Sequence, residues 1–311
     1  MSVLYFLESI RNPILDFFFS LITLFGEETI FMAVGMIVFW CFEKYQGYYL
    51  LYTGFAGTII NQFLKMSFRI PRPWVKDPSF TIVESAREAA SGYSFPSGHT
   101  QTSVGLYGGL ARWNRQRVIR IVGIALCVLV PLSRLYLGVH TPLDVLVSVG
   151  IALLLIFLVH PMIKKAECSP RLMYLILSIL ALLTVVFTIF VCAFPFPESV
   201  YTEGLHNLES ARKNAFTMIG CLLGMFVIYT ADVRWIRFPT KAVWWAQIIK
   251  AVVGLALVLA VKELLRAPLD ALFGGSLVAR AVRYFLMVIV GGMLWPMTFR
   301  WFSGLGKKKN A

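Results

Sequence analysis

One short stretch, residues 133–144, combines a serine, an arginine, a histidine and an aspartate and reads SRLYLGVHTPLD. It places Arg134, His140 and Asp144 between two long apolar runs. Charged groups at the level of a membrane are costly to bury, so such residues are first treated as a functional site. An aspartate hydrogen-bonded to one ring nitrogen of a histidine leaves the other nitrogen free to attack. The pair His140 and Asp144 is therefore suited to nucleophilic chemistry.

Two earlier segments offer groups that suit phosphate. Lys65 and Arg72 follow an apolar run without a matching cluster of carboxylates, and a guanidinium fork matches phosphate oxygens. Ser97 and Gly98 stand at a predicted helix start, where unpaired N–H groups favour an anion and a glycine allows close approach. His99 is placed to protonate a leaving oxygen. Together with residues 133–144 these segments predict a site for a phosphate group.

The composition indicates the environment in which these residues are held. The chain has 311 residues, of which 58% are hydrophobic and 14% charged, and the mean hydropathy is +0.74. These values are typical of a polytopic membrane protein and not of a soluble domain. The net charge of +13 would also suit a nucleic-acid-binding protein, but the basic residues lie between apolar runs. We therefore predict an all-α, polytopic membrane helical bundle that binds no nucleic acid.

Apolar runs of about 20 residues can cross a bilayer as helices. The sequence contains ten such candidates, and six of them precede residue 166. We therefore divide the chain into residues 1–165, which carry the three motif segments, and residues 166–311, a C-terminal transmembrane extension of unknown role. The ten predicted helices lie near residues 12–26, 28–43, 46–66, 97–112, 118–136, 142–161, 172–194, 214–231, 244–262 and 281–301.

The distribution of Lys and Arg predicts how these helices are oriented. If the ten helices alternate, one side of the membrane receives Arg11, Lys44 and the cluster from Arg112 to Arg120. Basic residues are enriched in cytoplasmic loops, so both termini are predicted to be cytoplasmic. The motif residues then lie on the extracytoplasmic face, and a bacterial cell membrane is the expected location.

The three segments together resemble the signature of the type 2 phosphatidic acid phosphatase and vanadium haloperoxidase superfamily. Residues 65–73 match KxxxxxxRP, residues 96–99 match PSGH, and residues 133–144 match SRxxxxxHxxxD. The resemblance covers roughly residues 1–165. It implies a six-helix core like that of the membrane-bound lipid phosphate phosphatases.

The resemblance also implies a role for each motif residue. His140 would be the nucleophile that forms a phosphohistidine, Asp144 would orient it, and His99 would be the general acid. Water would then release phosphate, and no metal ion or other cofactor is required. The groups that would hold the phosphate oxygens are Lys65, Arg72, Ser97, Gly98 and Arg134.

Several alternatives remain open from the sequence. The substrate would be a lipid phosphate monoester or diphosphate drawn from the surrounding membrane lipids, and no residue pattern identifies the lipid. The alternative functions are a lipid phosphotransferase that uses the same intermediate and a non-enzymatic transport or structural membrane protein. The extension could shape the lipid site, block it or mediate a homodimer. His160 is expected to be structural, and Lys250 is expected to be a snorkelling side chain.

Overall fold

The structure is a computed structural model that describes residues 1–87, 90, 92–194 and 203–305, with residues 203–206 described by their backbone only. The described residues form helices and loops, without a strand. They group into two compact units. The first contains residues 1–32, 49–161 and 195–211, and the second contains residues 33–48, 162–194 and 212–311. The two units do not coincide with the predicted division into residues 1–165 and 166–311, because residues 33–48 group with the second unit.

Sixteen α-helices are assigned in the described residues. The helices that precede or carry the motif segments are α1 (Ser2–Ser9), α2 (Pro13–Leu24), α3 (Glu28–Cys41), α4 (Lys44–Phe68), α5 (Pro73–Lys76), α6 (Gly98–Ser103), α7 (Gly109–Trp113), α8 (Arg117–Tyr136) and α9 (Pro142–Ala166). The later helices are α10 (Pro170–Ala193), α11 (Glu203–Ala231), α12 (Trp244–Leu264), α13 (Arg266–Leu272), α14 (Leu277–Ile289), α15 (Trp295–Met297) and α16 (Phe299–Gly304). A π-helical turn, Val104–Gly108, joins α6 to α7.

The chain is an integral membrane protein, and each of the ten predicted membrane segments is helical. Five described helices are long and apolar enough to cross a membrane, and the pair α2 and α3, bent by 47°, could form a sixth span. The first two predicted crossings therefore correspond to one bent pair. The outer surface of α8 is apolar, since Val118, Ile121 and Ile124 are all exposed. Such a surface is suited to contact with lipid tails.

The N-terminal segment lies at the same end of the first unit as the motif loops. The Arg11 guanidinium donates hydrogen bonds to the carbonyl oxygens of Thr81 (2.9 Å) and Tyr136 (3.1 Å). The Tyr5 hydroxyl donates to Asp77 Oδ2 at 2.6 Å. The prediction that Arg11 lies on the opposite side from the motif residues is therefore wrong. Arg11 lies at the same end as the motif loops because α2 bends into α3 and does not form a separate antiparallel crossing.

The second unit encloses Lys250, which is fully buried and does not snorkel. Its ammonium group donates to the Thr240 carbonyl oxygen at 2.7 Å and to Gln247 Oε1 at 3.0 Å. It also lies 4.2 Å from the centroid of the Phe299 ring. The interpretation of Lys250 as a snorkelling side chain is wrong, because partners inside the unit satisfy the charge.

Candidate active site

Arg72 joins the first motif segment to the third. Its Nη1 lies 2.9 Å from His140 Nε2 and donates to the Val139 carbonyl oxygen at 2.9 Å. Its Nε donates to the Gly92 carbonyl oxygen at 2.8 Å. The side chain is almost completely buried. Arg72 is thus held in a fixed position beside the predicted nucleophile.

The turn between α8 and α9 presents His140 to this arginine. Gly138 has a φ of +81°, the left-handed conformation in which glycine often ends a helix. The Val139 N–H then bonds back to the Arg134 carbonyl oxygen at 3.2 Å. The next helix begins at Pro142, and Thr141 and Asp144 exchange hydrogen bonds between backbone N–H groups and side-chain oxygens. The turn therefore fixes His140 between two well-capped helix ends.

Replacing Gly138 with alanine is expected to destabilise the protein by about 1 kcal/mol or more, because L residues disfavour this backbone conformation. A Cβ would also lie 2.6 Å from Arg11 Nη2 and 3.0 Å from the Phe80 ring. Thermal unfolding in detergent measures the effect. Gly150→Ala is the matched control, because a Cβ there meets nothing within 4 Å. Equal stability of the Gly138 variant and the wild type would contradict the need for glycine.

His140 and Asp144 are both buried and lie side by side. Asp144 Oδ2 is 3.6 Å from His140 Nδ1, which is within the range of an ion pair but longer than a hydrogen bond. The same oxygen accepts hydrogen bonds from Ser94 Oγ at 2.5 Å and from the Thr141 N–H at 2.8 Å. The carboxylate is therefore fixed beside Nδ1, and Nε2 is the ring nitrogen on the Arg72 side.

Burial and the neighbouring cations favour the neutral form of the His140 ring. Its pKa lies well below the ordinary value, mainly because the ring is buried and charging it there would lose hydration. The neighbouring cations lower the pKa further, with Arg72 the strongest among them, followed by Arg134 and Lys65. A neutral imidazole retains a lone pair, which the predicted role of His140 as nucleophile requires.

Arg134 is completely buried and only partly satisfied. Its Nη1 donates to Thr23 Oγ1 at 2.7 Å, whereas Nε and Nη2 have no hydrogen-bond partner in the described part of the chain. The buried Nε2 of His99 is also without a partner there. Leaving such groups unpaired costs about 1–3 kcal/mol each, and more for charged groups. An anion with several oxygen atoms would satisfy them.

The remaining predicted residues line the same region. Lys65 Nζ donates to the Tyr93 carbonyl oxygen at 2.6 Å. Ser97 is buried, and its hydroxyl caps α6 by accepting from the Thr100 N–H at 3.4 Å. A Cβ at Gly98 would meet nothing within 4 Å, so the backbone there is open to close approach. Each of the three motif segments thus contributes to one buried, cation-rich region.

Two contacts with predicted site residues were not predicted from the sequence. Ser94 fixes Asp144, and its place two residues before the PSGH motif is the signal that could have revealed it. Thr23 fixes Arg134 although the two residues are 111 positions apart in the chain. No local pattern marks Thr23, because its role depends on how α2 packs against α8.

The fold and this region define an integral membrane helical protein with a buried cluster of cationic and histidine side chains. Residues 46–168 match the PAP2 superfamily, and residues 216–308 match the PAP2 superfamily phosphatase, transmembrane extension. The first match contains every predicted site residue. The chain belongs to the PAP2 superfamily, in agreement with the resemblance of its three motifs.

Three curated relatives illustrate this membership. The chain is 31% identical over 152 residues to undecaprenyl-diphosphatase BcrC of Bacillus subtilis, covering 48% of this chain and 75% of that protein. It is 29% identical over 171 residues to phosphatidylglycerophosphatase B of Bacillus subtilis, covering 51% and 80%. It is 29% identical over 160 residues to a probable sphingosine-1-phosphate phosphatase of Dictyostelium discoideum, covering 47% and 38%. No solved structure matches the chain significantly.

Proposed function

We propose that this protein hydrolyses a phosphate monoester or diphosphate carried by a membrane lipid. The observation that carries the proposal is the group of unpartnered donors on Arg134 and His99 beside the pair His140 and Asp144. Membership of the superfamily and the phosphatase names of the relatives support it. Two of these relatives come from Bacillus subtilis, which supports a bacterial cell membrane as the location.

The first chemical step transfers the phosphoryl group to His140. Its neutral Nε2 attacks the phosphorus atom, while Asp144 stabilises the positive charge that the ring acquires. The bond from phosphorus to the lipid oxygen breaks, and His99 donates a proton to that oxygen. Burial and the neighbouring cations lower the pKa of His99 to about 2 in the empty site, so this step requires that the bound phosphate anion raises the pKa and brings a proton to His99. The product is a phosphohistidine and a lipid alcohol, or a lipid monophosphate when the substrate is a diphosphate.

The second step returns the enzyme to its starting state. A water molecule gives its proton to His99 and attacks the phosphorus atom of the phosphohistidine, and the bond to His140 breaks. Inorganic phosphate leaves. In both steps Lys65, Arg72 and Arg134 oppose the charge on the nonbridging oxygens, which is the electrostatic contribution on which phosphoryl transfer mainly depends.

Phosphate release from the purified full chain in detergent tests the proposal. The panel consists of phosphatidate, phosphatidylglycerol phosphate, a polyprenyl diphosphate and a sphingoid phosphate, since all present a terminal phosphate. We expect release from at least one of them and inhibition by vanadate, which mimics the five-coordinate transition state. An inactive wild type across the panel refutes the hydrolase. Substrate loss without phosphate release indicates transfer to another acceptor.

We place the site, together with the N-terminus, on the extracytoplasmic side. Arg112, Arg115 and Arg117 lie at the other end of α7 and α8, where basic residues indicate the cytoplasm. In a variant without native cysteines, Ser79→Cys is expected to react with an impermeant maleimide in intact cells. Arg115→Cys is the matched control and is expected to react only after lysis. The reverse pattern would place the site in the cytoplasm.

Replacing Ser94 with alanine is expected to lower kcat about tenfold with little change in KM, because Asp144 loses its hydroxyl donor and orients His140 less well. Ser103→Ala is the matched control, since Ser103 is equally buried but donates to the Thr100 carbonyl oxygen. Steady-state kinetics on the same lipid measure both variants. Equal kcat values for the two variants would show that Ser94 does not act through Asp144.

A further inference from the structure

Two arginines lie in the first turns of a membrane-spanning segment of the second unit. Arg280 and Arg283 belong to α14, which begins the span Leu277–Gly304. Neither forms an ion pair within the described part of the chain. A charge within a membrane span is expensive and normally has a partner or a function. The superfamily motifs do not include either residue.

Arg280 is held by α11. Its Nε donates to Thr217 Oγ1 at 2.7 Å, and the Thr217 hydroxyl donates in turn to the Lys213 carbonyl oxygen at 2.9 Å. The two helices approach closely here, because a Cβ on Gly220 would collide with the Ala281 carbonyl oxygen. Because the Thr217 hydroxyl gives its proton to the Lys213 carbonyl oxygen, its own oxygen is free to accept the hydrogen bond from Arg280.

Arg283 lies one helical turn after Arg280 and is buried, but within the described part of the chain its Nε lacks a hydrogen bond like the one that Arg280 makes to Thr217. Its side chain is only 8% exposed, and its Nε has no hydrogen-bond partner in the described residues. The two arginines are neighbours on one face of α14, because they are three positions apart. Their guanidinium carbons lie 5.3 Å and 5.7 Å from the centroid of the Tyr284 ring. Cation–π attraction of about 0.5–2 kcal/mol does not replace a missing hydrogen bond to a buried charge.

We propose that Arg280 and Arg283 form a second anion site, which binds the phosphate of an anionic lipid headgroup. Two guanidinium groups offer the forked donors that phosphate oxygens accept. Because both arginines lie within a membrane-spanning segment, the phosphate that reaches them is carried by a lipid. This site would bind the lipid phosphate without catalysing a reaction, and the proposal does not depend on the proposed hydrolase function.

Thermal unfolding of the full chain in detergent tests this site. Phosphatidylglycerol, phosphatidylcholine of the same chain length and inorganic phosphate are added separately. We expect phosphatidylglycerol to raise the Tm of the wild type and phosphatidylcholine to have little effect. A rise with inorganic phosphate alone would support the anion site but assign it to free phosphate. No rise with either anion would overturn the proposal.

Variants separate this site from the candidate active site. Arg283→Met and Arg280→Met are expected to lose the rise in Tm, whereas Arg266→Met, an exposed arginine on α13, should keep it. Arg134→Gln should also keep it, because it alters only the candidate active site. If Arg283→Met cannot be purified in folded form, Arg283→Lys should show a smaller rise. An undiminished rise in the folded Arg283 variant, or its loss in Arg134→Gln alone, would refute the assignment.

Discussion

Replacing His140 with alanine is expected to lower phosphate release by about 10³-fold or more, because the proposed mechanism has no other nucleophile. The variant keeps Asp144 and Arg72 but lacks the imidazole that would attack the phosphorus atom. The same variant is expected to accumulate no phosphorylated protein. Initial rates of phosphate release and labelling with a lipid that carries radioactive phosphate measure the two effects.

His160→Ala is the matched histidine control. The His160 ring contacts Tyr49 and Trp113, so it lies in an aromatic cluster and not among the motif residues. We expect the folded His160 variant to retain phosphate release and labelling. If the His140 variant retained turnover, or if label appeared on it at the wild-type level, the assignment of His140 as nucleophile would be abandoned.

Replacing Arg134 with glutamine is expected to lower phosphate release by about 10²–10³-fold, because two donors that would face the phosphate are removed. Thermal stability without substrate is expected to be unchanged or higher. The reason is that the wild-type guanidinium is fully buried and only one of its nitrogens has a partner, so neutral glutamine relieves the cost of the buried charge. Kinetics and thermal unfolding are measured on the same preparation.

Arg117→Gln provides the control on the same helix. Arg117 is exposed at the start of α8, whereas Arg134 lies in its last turn. The control should change neither rate nor stability. A purely structural role for Arg134 predicts a different pattern, in which stability falls and the remaining folded protein keeps its rate. That pattern would remove Arg134 from the phosphate site.

The helical class, and the motif segments that the structure brings together, could be predicted from the sequence because they depend on local patterns. Apolar runs locate the helices, and all ten predicted segments are helical. Spacing within each motif reflects geometry inside one turn or helix end. Thr141, Pro142 and Asp144, for example, occupy the helix-start positions that their chemistry favours.

Other features depend on packing between distant segments and could not be read from the sequence. The contact of Thr23 with Arg134 requires that α2 lies against α8. Arg11 was predicted on the wrong side because a bent helix pair and two separate crossings have the same apolar composition. Lys250 was misassigned for a similar reason, since only the folded unit reveals its carbonyl partner.

The position of Arg11 and Thr23 has a practical consequence for how much of the chain is needed. The region shared with the PAP2 superfamily begins at residue 46, after both contacts. A fragment trimmed to the shared region would retain every motif residue, yet it would lack the hydroxyl that holds Arg134 and the guanidinium that holds the end of α8. We therefore expect the smallest active fragment to be larger than the homologous region, with an N-terminal boundary before Arg11.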